Sequence, residues 1–170
     1  KGEVMKFSKA MVIPFIVVAV ILGFLLGMSY FTFGYWAFNE YDNIAFLMAK
    51  ARGNNSNFST QLEMYPNGTF SLICYPFYSG NYSDSITANI TINGITETFS
   101  LEKLSIDDYT TRINMSESAN DFIRFLTTTN ASVTITIELY FDGPAYSVTF
   151  KAYKSKSVYE KLKQKDNING

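Results

Sequence analysis

The hydrophobic positions of this chain change period along its length. From Ala10 to Phe38 the sequence AMVIPFIVVAVILGFLLGMSYFTFGYWAF carries no charged residue, Asn, Gln or His. At about 1.5 Å per residue a helix of this run reaches about 43 Å, longer than the roughly 30 Å hydrocarbon core of a bilayer. The run therefore predicts a single transmembrane helix. Tyr41, Ile44, Ala45 and Met48 follow at helical spacing, with Glu40 and Asp42 leading and Lys50 and Arg52 trailing, before Gly53 offers a stop. On this spacing the helix extends to about residue 52.

After a polar hinge at Asn54–Asn57 the period becomes two. Phe58, Thr60, Leu62 and Met64 alternate, Tyr65-Pro-Asn-Gly68 turns, and Phe70, Leu72 and Cys74 alternate again. Ile86, Ala88, Ile90 and Ile92 lead to Asn93-Gly94, a type I′ turn signal, and Ile95, Glu97, Phe99 and Leu101 return. A short strand is expected to end at Ile113-Asn-Met115. Ser118-Ala-Asn-Asp121 then reads as a capping box ahead of a short helix bearing Phe122, Ile123, Phe125 and Leu126. Val133 to Phe141 and Tyr146 to Ala152 form the last alternating pair around Asp142-Gly-Pro144. About seven strands with turns every 8–12 residues predict an all-β, sandwich-like domain with one short helix.

The expected layout is a basic N-terminus (1–9), the membrane helix (10–38), an amphipathic helical extension and hinge (39–56), the β-sandwich (57–154) and a basic tail (155–170). In the tail, Val158, Tyr159 and Leu162 allow a short basic helix able to touch anionic lipid headgroups or an acidic neighbour, but the expected state is a solvated, fraying end.

Orientation follows from charge. Lys1, Lys6 and Lys9 against Glu3 make the near flank of the apolar run the more basic one, which places the N-terminus in the cytoplasm and the domain outside. The run is too long for a secretory h-region, and aromatics rather than small residues follow it, so it reads as a retained signal-anchor. Tyr30, Tyr35 and Trp36 are the expected membrane-interface aromatics. Gly23 and Gly27, four apart, are expected to let another helix pack closely.

Asparagine adds a second line of evidence for the same topology. Acceptor triplets Asn-x-Ser/Thr occur at Asn54, Asn57, Asn67, Asn81, Asn89, Asn114 and Asn130, seven of 14 asparagines. With Ser plus Thr at about 18% of the chain, chance supplies roughly two or three. All seven follow the apolar run, which suits a glycosylated domain outside the cytoplasm. The single cysteine, Cys74, allows no intrachain disulfide and points toward an archaeal or bacterial source. On its alternating strand it reads as a buried structural thiol.

Candidate chemistry is sparse. Without histidine the commonest general base and the commonest transition-metal and haem ligand are missing. Asp107-Asp108 is the only adjacent carboxylate pair and lacks Ca²⁺-loop spacing. No phosphate-binding glycine loop or zinc, haem, iron–sulfur or flavin motif occurs, and a net charge of −1 gives no global pull toward nucleic acid. The expectation is a non-enzymatic, cofactor-free accessory or structural subunit of a cell-envelope membrane complex. Its expected partners are other membrane subunits, the lipid bilayer and N-linked glycans.

Lys9-Ala10 followed by Met11-Val-Ile, with an apolar helix running into an amphipathic extension and then a disulfide-free β-domain, resembles the archaeal type IV pilins over about the first 52 residues. That resemblance implies a subunit of a surface filament. A third reading is a scaffold subunit of a membrane oxidoreductase.

Overall fold

The structure is a computed structural model that describes residues 35–53, 57–77, 84–107, 109–142 and 145–169. Nine strands are present: β1 (Ala37–Asn39), β2 (Ile44–Gly53), β3 (Asn57–Met64), β4 (Phe70–Tyr75), β5 (Ser85–Ile92), β6 (Ile95–Ser105), β7 (Thr111–Asn114), β8 (Val133–Tyr140) and β9 (Ala145–Ala152). Among the described residues two helices, α1 (Glu117–Ile123) and α2 (Ser155–Asn169), accompany a 3₁₀ turn at Arg124–Thr128. The strand order is β1-β2-β3-β4-β7-β6-β5-β8-β9, and β2 also pairs with β9. Strands β2 to β9 thus close into an eight-stranded antiparallel barrel, not the expected sandwich.

The difference lies in residues 39–52. They were expected to continue a helix, and they form the β1–β2 hairpin instead. The segment carries two periods at once. Tyr41, Ile44, Ala45 and Met48 recur at helical spacing, yet Ala45, Leu47, Ala49 and Ala51 also alternate with Phe46, Met48, Lys50 and Arg52. Pairing decides in favour of the second: β2 matches β3 from Ala45↔Met64 to Arg52↔Asn57. Asn39 builds the turn, its Oδ1 accepting from the Tyr41 and Asp42 amides at 3.1 and 3.4 Å, and Asn43 takes a left-handed φ of 48°. The extra strand reaches β9 at Arg52↔Ser147 and Gly53↔Tyr146. Closure follows from that contact, and it removes the sheet edges a sandwich would leave.

The expected membrane helix, Ala10–Phe38, falls mostly outside the described residues. Its last part is not helical: Tyr35 bridges Tyr153 and β1 starts at Ala37. No helix among the described residues is long and apolar enough to cross a membrane.

The interior is filled rather than hollow. Leu62, Leu72, Ile90, Leu101, Ile113 and Ile137 are fully buried on the inner faces of six strands. An aromatic plug closes one end, where Phe77 packs against Phe58 at 4.6 Å, Phe141 at 4.8 Å and Tyr146 at 5.8 Å between ring centroids. Gly53 serves this packing, because a Cβ there would lie 2.4 Å from the Tyr146 ring. The helices close the other end with Ile123, Leu126 and Leu162. The cap of α1 is Ser116, not Ser118: its Oγ accepts from the Ala119 amide at 3.3 Å. Asn120, on the buried face of α1, ties the helix to the barrel by accepting from Phe70 N at 2.7 Å and donating to Met115 O at 2.9 Å.

The tail is a helix docked on the barrel. Its first amides find acceptors on the loop before β8, Lys156 N at Thr129 O (2.9 Å) and Ser157 N at Asn130 Oδ1 (3.0 Å). Leu162 anchors it, with Val158 and Tyr159 partly buried beside it.

Candidate functional site

The interior is occupied by side chains, and a charge lies among them: Lys103, buried on the inward register of β6, reaches Asp84 at 3.8 Å. The outer wall carries further polar chemistry in three regions. The first is a polar sheet face across β6, β5, β8 and β9. Register places Thr96, Thr91, Thr136 and Thr149 in one cross-strand row. Their hydroxyls pair at 2.8 Å (Thr91–Thr96) and 3.1 Å (Thr136–Thr149). In the next row Asn89 accepts from Thr98 Oγ1 at 2.8 Å and donates through Nδ2 to Tyr140 Oη at 3.2 Å. Tyr140 donates to Glu138 Oε2 at 2.9 Å, and that bond holds its phenol above the usual range by keeping the proton in use.

The second region is an enclosed carboxylate on the outside of β3, β4 and β7. Glu63 is 3% exposed. Its Oε2 accepts from Tyr65 Oη at 2.6 Å and Ser71 Oγ at 3.0 Å and lies 3.5 Å from the Arg112 guanidinium. Its Oε1 accepts from Gln61 Nε2 at 3.0 Å. Burial, then the bond to Glu63, pushes the Tyr65 phenol up. Both carboxylate oxygens are engaged, so the cluster clamps three strands rather than offering a base to a ligand. Glu63→Gln places an N–H₂ where an acceptor is required. It is expected to cost about 1–3 kcal/mol, read as a lower thermal midpoint. An unchanged midpoint would mean that the cluster holds no net stability.

The third region is the seam where β1 and α2 run side by side. Trp36 was expected at a membrane interface; it is instead 4% exposed and donates through Nε1 to the buried Ser155 Oγ at 2.9 Å. The two ends of the described chain are joined there because the indole is large, apolar and needs one acceptor. Tyr35 stays 43% exposed, its ring edge-on to Tyr153 at 5.5 Å. A cleft of about 370 Å³ lies between Phe38 and Glu40 on one side and Lys161, Gln164 and Lys165 on the other. Lys165 pairs with Glu40 at 3.2 Å.

The acceptor asparagines scatter over the surface instead of converging. Asn67 is exposed in the β3–β4 turn, where its Oδ1 accepts from Thr69 N at 3.0 Å and Thr69 Oγ1 at 2.8 Å. Asn130 is exposed and uses Oδ1 to hold the start of α2. In both, the oxygen is the atom engaged and the nitrogen, which a glycan would take, is not. Asn89 is half-buried and commits its nitrogen to Tyr140. Asn114 lies at the end of β7, half-buried, and Asn57 begins β3. Asn54, Asn81, Gly23, Gly27 and Tyr30 lie outside the described residues.

Two further residues were read from their neighbours. Cys74 is fully buried on the inner face of β4, and burial pushes its thiol up to about 12. Asp107 accepts from the Tyr109 amide at 2.7 Å in the β6–β7 turn, and no cluster of metal-ligating side chains occurs among the described residues. The Glu63 cluster and the Trp36–Ser155 bond escape sequence reasoning, because each joins residues that only the barrel brings together. The arrangement is a filled barrel with surface acceptors and a docked basic helix, and no protein-family model, curated protein or solved structure matches the chain.

Proposed function

We propose that this protein is a membrane-anchored, N-glycosylated display module. In this reading a filled β-barrel is held outside the cytoplasm by the apolar run before Tyr35 and serves as a non-enzymatic accessory subunit of a cell-envelope complex. One observation carries the reading: the described acceptor side chains Asn67, Asn89, Asn114 and Asn130 all project from the outer wall or its loops, and none lies on the buried inner face. Glycans can therefore be carried without disturbing the core. The uncharged run of residues 10–34 and the more basic first flank support the anchor and its orientation.

The test is glycopeptide mass spectrometry on the native protein, extracted in gentle detergent with its companions. Glycan is expected at Asn67, which is exposed and engages only its oxygen, well ahead of Asn89, whose nitrogen is bonded to Tyr140. A chain bare at all seven triplets sinks the glycoprotein reading. Co-purifying multi-pass subunits support the accessory role, whereas long filaments of this chain alone replace it with the filament role.

A further inference from the structure

Charge is segregated along the described chain. Residues 151–169 carry six lysines against Glu160 and Asp166, a net of +4. Residues 35–150 carry five basic and twelve acidic side chains, a net of −7. The positive part is α2 and its approach, with Lys151, Lys154, Lys156, Lys161 and Lys163 all exposed. Beside it run aromatics that the barrel leaves uncovered. Tyr41, at the tip of the β1–β2 turn, is fully exposed, and Phe38 and Tyr35 are 37% and 43% exposed. Lys154 stands over the Tyr153 ring at 5.4 Å, next to Tyr35. Lys161 shares the cleft of Phe38 and Glu40.

We infer that this strip, the β1 side of α2 with Tyr35, Phe38 and Tyr41, lies against an anionic lipid surface. The inference rests on the anchored reading above and adds which face of the barrel meets the bilayer. Three facts select lipid as the occupant. The uncharged residues 10–34 lead directly into Tyr35, where the strip begins, so an anchored chain delivers this face to the membrane first. Aromatic rings with a polar edge, interleaved with lysines on long apolar stems, suit the headgroup layer. Even with Glu40 and Asp42 beside Tyr41 counted against the six lysines, along with Glu160 and Asp166, α2 and the β1–β2 turn keep a net of +2 beside a barrel of negative charge, which matches anionic headgroups and orients the domain. Asn67 does not obstruct the contact, because its turn meets α2 at Tyr159, about 200° around the helix from Lys161. Asn130 borders it: its Oδ1 accepts from Ser157 Oγ at 3.1 Å, about 40° around the helix from Lys161, so a glycan found at Asn130 overturns the docking face.

The test uses the full chain in nanodiscs of phosphatidylcholine, with and without phosphatidylglycerol. A spin label is placed at Tyr41→Cys or, as a control on the polar sheet face, at Thr149→Cys. Cys74 is fully buried and stays unlabelled. The label at 41 is expected to be shielded from a water-soluble nickel relaxant when phosphatidylglycerol is present, and the label at 149 is not. Lys154→Gln with Lys161→Gln should lower the docked-to-free ratio by about tenfold or more, at roughly fivefold per lysine. Equal exposure at 41 and 149 in a chain that still resists carbonate extraction overturns the docking face and leaves the anchor standing. Release of the chain by carbonate overturns the anchor and the docking face together.

Discussion

Trp36→Ala is expected to cost about 3–5 kcal/mol, the range for emptying a buried tryptophan site. The loss has two parts. The indole is buried at the seam of β1 and α2 as part of the hydrophobic core. Its Nε1–H also satisfies Ser155 Oγ, which is fully buried at the start of α2. Trp36→Phe keeps most of the volume and drops the hydrogen bond, so about 1–3 kcal/mol separates it from the native chain. Circular dichroism is the right probe, because Trp36 is the only tryptophan and both variants abolish its fluorescence. A Trp36→Ala midpoint within a degree or two of the native one would show that the seam does not hold the barrel shut. Against a total stability of roughly 5–15 kcal/mol, the expected loss leaves a barrel near its limit.

Raising the pH above about 9 is expected to destabilise the protein through Cys74. In the unfolded chain this thiol loses its proton near 9, whereas burial holds it in the folded barrel up to about 12. Below about 9 both states keep the proton and the group contributes no pH dependence. Between the two values the unfolded state is the one that has released it, so unfolding becomes easier by about 1.4 kcal/mol per pH unit. Across the full interval this approaches 4 kcal/mol. The Tyr65 phenol, also raised, acts in the same direction. Cys74→Ala removes the thiol and should flatten the decline in denaturant midpoint between pH 9 and 11 relative to the native chain. Parallel slopes in the two proteins would rule the thiol out as the cause.

Much of the barrel wall is legible in the sequence, because alternation and turn chemistry are local. Asn93 and Gly94 take φ values of 51° and 83°, both left-handed, as a type I′ turn requires, and β5 pairs with β6 from Ile92↔Ile95 outward. The alternation of Val133–Phe141 and Tyr146–Ala152 leads in the same way to the pairing of β8 with β9. Residues 39–52 defeat the same reasoning. Alanine is the best helix former and is depleted in strands, so Ala45, Ala49 and Ala51 favour the helical period locally, and pairing with β3 and β9 overrides it. Trp36 is misread for a related reason. Its apolar neighbours resemble a membrane belt, and its burial depends on Ser155, 119 residues away.

Local pattern sets the strand-forming segments after residue 57, their tight turns, the inward placement of Cys74 and the seven acceptor triplets. All of these depend on residues a few positions apart. Contacts across the chain set the rest: the sheet closes on itself through β2, Trp36 joins the core, Glu63 on β3 meets Arg112 on β7, and the lysine-rich tail lies along β1. Each of these is a contact between distant segments. Its free energy appears only when the whole barrel forms, so no local pattern of residues can encode it.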